Sequence, residues 1–215
     1  MIRTLVLSIC LAATLTGLSA CKIVKNDTGA EGAIPPGPEG DAARIAALLE
    51  ETYEARLVPH VTDTATDISA LRSALAGGLD AAGEAHGVRA TGEGSAWSFA
   101  VKGSGTVVEQ NRKSRAATLG LDTDADGKPD TTLQLGPVVK GTALRDVAPF
   151  YVFTDFRDQI EFARLARALN DRAVGDLSLP EGDLTGRSVT FLGAFAARSA
   201  SDPILVVPLS IEVSP

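Results

Sequence analysis

The segment Asp122-Thr123-Asp124-Ala125-Asp126-Gly127-Lys128-Pro129-Asp130 holds the densest run of chemistry-bearing side chains in this 215-residue sequence. Carboxylates at alternate positions with a glycine at the sixth are the pattern of a calcium loop. The glycine permits the sharp turn, and Asp122, Asp124, Asp126 and Asp130 would converge on a hard cation. The twelfth position is Leu133, so the bidentate glutamate of an EF-hand is missing, and the set is closer to the shorter Asp-rich loops of extracellular repeats. A calcium bound there would be structural. Aspartate and glycine are also the residues that hairpin turns prefer, and a polar turn between two strands is the simpler expectation.

A second set lies in Gly141-Thr142-Ala143-Leu144-Arg145-Asp146, between an apolar strand and a helix. Arg145 offers five donors in a rigid fork and Asp146 accepts, so with Thr142, Gln159 and Asn170 they could hold sugar hydroxyls. The plainer expectation is that Arg145 and Asp146 bond to each other and to backbone, fixing a strand-to-helix corner. Gln159 and Asn170 are eleven residues apart on one helix face. That puts them about 16 Å apart along the axis, too far for one small ligand to meet both easily. His60 and His86 have no cysteine or acidic cluster at ligand spacing and read as surface or packing histidines. No Gly-x-Ser-x-Gly elbow occurs, and no pair of carboxylates stands out as a glycosidase couple. The chain is therefore expected not to be an enzyme.

Cys21 is the remaining reactive side chain. It follows Leu18, Ser19 and Ala20 at the end of a short apolar run, Leu5 to Ala13, which is preceded by Arg3. That run is shorter than the roughly 20 residues a spanning helix needs. The four residues Leu18 to Cys21 resemble the lipobox of bacterial lipoproteins. The resemblance implies diacylation of the Cys21 thiol, cleavage between Ala20 and Cys21, and acylation of the new amine. Two or more chains anchor stably where one does not. Lys22, where by resemblance to enterobacterial sorting rules an aspartate would retain the protein in the inner membrane, favours the outer membrane. Cys10 leaves with residues 1–20, so no disulfide, zinc site or thiol nucleophile remains. Cleavage also removes one basic residue, Arg3, taking the formal charge from −7 to about −8. So acidic a domain repels nucleic acid and anionic headgroups.

The elements that must position these groups follow from periodicity. Residues 21–40 are rich in Pro and Gly and read as a flexible tether. Residues 41–87 read as a helical subdomain. One helix is N-capped by Asp41 and ended by Pro59, and a second starts near Thr64 or Thr66 and weakens at Gly77-Gly78. Residues 88–215 read as a β-rich domain. Trp97, Phe99 and Val101 alternate, with rings that face the core or stack on a sugar, and Gly103 and Gly105 punctuate before a second strand at Thr106. Arg115 to Leu121 and Thr131 to Leu135 flank the Asp-rich turn as a hairpin, which Val138-Val139 extends. A helix follows over 155–173, then two strands over 188–196 and 204–213. The class is α+β, with short strands suited to a small barrel and one long helix before the last two strands.

The run from Gly136 to Asp146, followed by Phe153, Phe156, Gln159-Ile160-Glu161, Ala163, Leu169 and Asn170, resembles the signature of the DUF2291 family of predicted periplasmic lipoproteins. Cys21 to Val24, Trp97 with Phe99, Gly103 to Val107 and Gly193-Ala194-Phe195 extend the match. The resemblance implies a helical subdomain joined to an OB-like domain, and a genomic setting beside sugar ABC transporters of the ribose type. The expected role is a non-enzymatic accessory or binding module of carbohydrate uptake on the periplasmic face, contacting a transporter component or the sugar. An interaction role would use an exposed apolar patch on 41–87; a sugar-binding role, a polar cleft with an aromatic near Arg145. The alternatives are a structural envelope lipoprotein unrelated to transport and a carbohydrate-active envelope enzyme.

Overall fold

A computed structural model describes residues 34–89 and 94–214 of the chain. Residues Pro36–Pro215 form one compact unit. Five strands close a barrel: β3 (Trp97–Asn111), β4 (Ala116–Asp122), β5 (Thr131–Pro137), β6 (Ser188–Ala197) and β7 (Ile204–Val213). The order runs β3-β4-β5-β7-β6, and β6 returns to β3 along ten residue pairs from Trp97↔Ala197 to Thr106↔Ser188. All neighbours are antiparallel except β5 and β7, which run parallel through Thr131↔Ile204. Two short strands, β1 (Thr66–Asp67) and β2 (Gly87–Arg89), add to β3 outside the ring.

Alternation along the long strands divides the apolar residues between two cores. Phe99, Val101, Phe191, Phe195 and Val206 belong to one, with Leu119, Leu121 and Leu133. Ala100, Ala194 and Val207, the neighbours in sequence, belong to the other. The last two strands are thus buried on both faces over much of their length. Helices α3 (Ile68–Ala76) and α4 (Leu79–His86) supply Ile68, Leu71, Leu75 and Ala82 to the first core. The second is covered by α1 (Asp41–Thr52), α2 (Val58–Thr64), the short α5 (Ala143–Asp146) and the long α6 (Gln159–Gly175).

Residues 41–87 therefore are not a separate subdomain. Their first half shares a core with α6 and their second half with the barrel, so position 87 marks a change of secondary structure and not of packing unit. Nor does the spacer run to residue 40: Pro38–Gly40 is a turn of 3-10 helix and Gly40 is buried.

Two punctuation signals also act differently from expectation. Pro59 does not end the first helix; it sits in the first turn of α2, directly after a π-turn over Tyr53–Leu57. The wider turn shifts the hydrogen-bond register just where proline has no N–H to give. Gly103 and Gly105 do not break a strand but lie inside the fifteen residues of β3. A Cβ on Gly103 would come within 2.5 Å of Ile68 Cγ2, and one on Gly105 within 2.6 Å of the Asp122 carbonyl oxygen. They are glycines because neighbours approach closely. The hairpin around the Asp-rich turn is present as β4 and β5 in register Leu121↔Thr131. Val138 leaves the strand for an exposed loop.

Candidate functional site

Asp41 is fully buried and does not cap α1; it is the first residue of that helix, and its carboxylate faces three arginines. Arg44 lies 2.5 Å from Oδ1, while Arg157 and Arg164 lie 3.0 and 2.8 Å from Oδ2. Glu161, also buried, accepts from Arg44 Nε at 2.8 Å and from the Arg157 backbone N–H at 2.7 Å. Asp158 caps α6, accepting from the N–H groups of Ile160 and Glu161 at 2.9 Å, which holds its carboxyl below the usual carboxylate range. Asp158 and Glu161 stand at the N-cap and N3 positions of a capping box, a signal in the sequence that sets the start of α6 at 159 and not 155. Nothing comparable in the sequence announces that Asp41 meets side chains more than a hundred residues away.

Beside this cluster opens a cavity of about 430 Å³, whose lining includes Ile45, Leu48, Phe150, Tyr151, Phe156 and Asp155 together with Arg44, Arg157 and Glu161. The aromatic wall is held from behind. The Tyr151 hydroxyl lies 2.7 Å from Thr52 Oγ1, Arg56 sits 4.2 Å over the Phe150 ring, and Phe156 packs on Phe162 at 5.0 Å between centroids. None of the exposed large apolar side chains falls within 41–87, where an interaction patch was expected. Val152, Phe153 and Ile160 are exposed instead, interleaved in sequence with the cavity lining.

The Asp-rich loop brings oxygens of Asp122, Asp124 and Asp130 within 4.8 Å of one another, and Asp126 is not among them. Asp122 accepts from the backbone N–H groups of Gly127, Ala125, Asp124 and Asp126, and these bonds, Gly127 foremost, hold its carboxyl below the ordinary range. Asp130 accepts from the Thr123 N–H and hydroxyl at 2.8 and 2.7 Å. The cation at this loop is Arg72, which pairs with Asp124 and lies 2.8 Å from Asp130. A calcium ion would have to displace it. Leu133, at the twelfth position, is buried in the barrel.

Thr142, Arg145 and Asp146 do come together. Thr142 donates to Asp146 Oδ2 at 2.5 Å, and Arg145 Nε donates to Oδ1 at 2.7 Å. Arg145 also donates to the Phe162 carbonyl at 3.1 Å and lies 3.8 Å over that ring. These contacts tie the short helix α5 to itself and to α6. Gln159 is exposed at the start of α6, apart from this set. Asn170 is 3 % exposed and donates from Nδ2 to the Gly141 carbonyl at 3.0 Å. Its Oδ1 is buried with no partner among the described residues.

His60 Nε2 lies 3.0 Å from the Val147 carbonyl, with its ring edge against Phe150, and His86 lies near Thr66. Phe99 is buried against Phe195, and Trp97 packs over Gly83 while donating to Asp80 at 3.0 Å. Ala20 and Cys21 lie outside the described residues. Among those described, no helix is long and apolar enough to cross a membrane.

The fold is similar to that of an OB-fold protein from Thermotoga maritima known from a crystal structure. The TM-score is 0.54 at 18 % identity, covering 81 % of this chain and 96 % of that one. No curated protein matches. A family model described as predicted periplasmic lipoprotein (DUF2291) matches residues 11–212. With nearly the whole sequence matched and the OB-like barrel in place, the chain belongs to the DUF2291 family of predicted periplasmic lipoproteins.

Proposed function

We propose that the chain is a non-enzymatic binding module, held on the periplasmic face of the envelope by lipid on Cys21 and accessory to carbohydrate uptake. The observation that carries this reading is the cavity between α1 and the 150–157 segment. Rings of Phe150, Tyr151 and Phe156 offer apolar faces for the C–H side of a sugar, while the exposed carboxylate of Asp155, outside the closed network, offers acceptors for its hydroxyls. The setting beside ribose-type ABC transporters that the family resemblance implies gives the sugar its context. The exposed Val152, Phe153 and Ile160 next to the cavity are where a transporter component would rest.

Neutral pentoses and hexoses titrated onto the protein should give saturable ligand-observed NMR signals that are lost in Phe156→Ala. Absence of binding for the whole panel would remove the sugar from this reading. Unaltered growth on every sugar after deletion, together with an envelope defect, would favour a structural envelope lipoprotein. The anchor has its own test: Cys21→Ser should block lipoprotein processing and leave the protein out of detergent-extracted lipoprotein fractions.

A further inference from the structure

The exposed side of α6 carries a second hollow, remote in chemistry from the aromatic cavity. Two adjoining depressions of about 330 and 490 Å³ share Pro137, Arg167 and Asp171 and run between α6 and the chain that leaves β5. Arg167, Asn170, Asp171 and Val174 follow one another at helical spacing along this side. Arg115, in the bend just before β4, lines the opposite wall. The close approach that shapes the groove is possible because Gly136 has no side chain; a Cβ there would lie 2.7 Å from Val174 Cγ2.

The charged side chains that line this groove have no protein partners among the described residues. Arg115 and Arg167 are exposed and form no ion pair or side-chain hydrogen bond among the described residues; Arg112, at the far end, donates only to the Gly182 carbonyl. In a chain with a formal charge of −7, two guanidinium groups, those of Arg115 and Arg167, line this hollow against one carboxylate, Asp171, which likewise forms no ion pair or side-chain hydrogen bond among the described residues. On the floor, buried Asn170 leaves its Oδ1 without a donor. An unpaired buried acceptor is destabilising and rare unless something else satisfies it.

The groups state what would fill the groove. Asn170 Oδ1 and Asp171 need hydrogen-bond donors, which hydroxyls supply. Arg115 and Arg167 are free to take an anion, and the guanidinium fork fits the paired oxygens of a carboxylate or phosphate. Pro137, Val138 and Ala163 add apolar surface for C–H groups. We infer that this groove binds an anionic saccharide, with its carboxylate or phosphate on Arg115 and Arg167 and a hydroxyl donated to Asn170. The inference goes beyond the aromatic cavity and uses none of its residues, so either can fail while the other stands.

The test uses the whole chain in detergent, titrated with glucuronate, glucose 6-phosphate, glucose and inorganic phosphate, and read by calorimetry and by the Asn170 side-chain amide resonance. At least one of the two anionic sugars should bind and move that resonance; which one identifies the anion. Arg115→Ala and Arg167→Ala, both at exposed positions, should each weaken binding about ten-fold, the loss of one charge-assisted contact. Raising salt from about 50 to about 500 mM should weaken it further. Binding of neither anionic sugar, equal binding by the double arginine variant, or inorganic phosphate binding as tightly as glucose 6-phosphate would each overturn the inference. Loss of neutral-sugar binding in Phe156→Ala with groove binding intact would separate the two sites.

Discussion

Helix α6 carries two polar regions built from the same residue types, and they differ in whether the charges are satisfied inside the protein. At its N-terminus, Glu161, Arg157 and Arg164 close with Arg44 on buried Asp41, and every carboxylate oxygen has a donor within 3.0 Å. Two turns further on, Arg167, Asn170 and Asp171 stand in a groove with acceptors and donors left over. A closed network holds α1 to α6 and leaves little to offer a ligand. An open one, whose single bond to the fold is that of Asn170 to the Gly141 carbonyl, has the chemistry of its charged groups available. The Asp-rich loop belongs with the first kind: Arg72 and backbone N–H groups use the oxygens that a metal would need. So does the Thr142, Arg145 and Asp146 corner.

This contrast can be broken by measurement. The largest effect is expected at Asp41→Ala, which would leave three arginines facing an empty buried position. Losing one partner of a buried ion pair costs about 3–5 kcal/mol. The arginines here are a third to a half exposed, so about 3 kcal/mol should be read by urea denaturation. A loss below about 1 kcal/mol would mean that water satisfies these arginines and the network is no clamp.

Acid should come next. Asp122 and Asp158 both titrate below their ordinary range, so the folded state holds their protons less tightly than the unfolded chain does. Their contribution is complete above the unfolded value of about 3.9 and disappears as pH falls through the lower folded value. Asp122→Asn keeps an acceptor for the loop N–H groups but cannot titrate. Its melting temperature should therefore fall less than the parent's over that window; an unchanged acid profile would sink the loop's role.

The smallest effect is the most discriminating. Arg115→Ala and Arg167→Ala should change stability by no more than about 0.5 kcal/mol, as for surface residues without partners. A larger loss would show that the groove's arginines hold the fold after all.

The sequence disclosed elements better than their relations. The hairpin around the Asp-rich turn, the break at Gly77-Gly78 and the last two strands follow local rules of alternation and turn chemistry, and those rules operate over a few residues. Where glycine or proline answers to a distant neighbour, the local rule misleads, as at Gly103 against Ile68. The corner at Arg145 was legible because its partners are adjacent. The aromatic cavity was legible only as separate aromatics, since Ile45 and Phe156 meet there from over a hundred residues apart.

By itself, then, the sequence determined the family, the α+β order and the lipobox-like motif ending at Cys21, all of which depend on identity and short-range spacing. Tertiary structure alone decided which charges are spent and which are free. Asp41 and Arg72 became structural because packing brought partners to them, while Arg115 and Arg167 stayed available, and Asn170 Oδ1 buried but unpartnered, because packing brought none among the described residues. The physical reason is that a charged side chain's free energy depends on the groups within a few ångströms, and chain topology, not sequence proximity, chooses those groups.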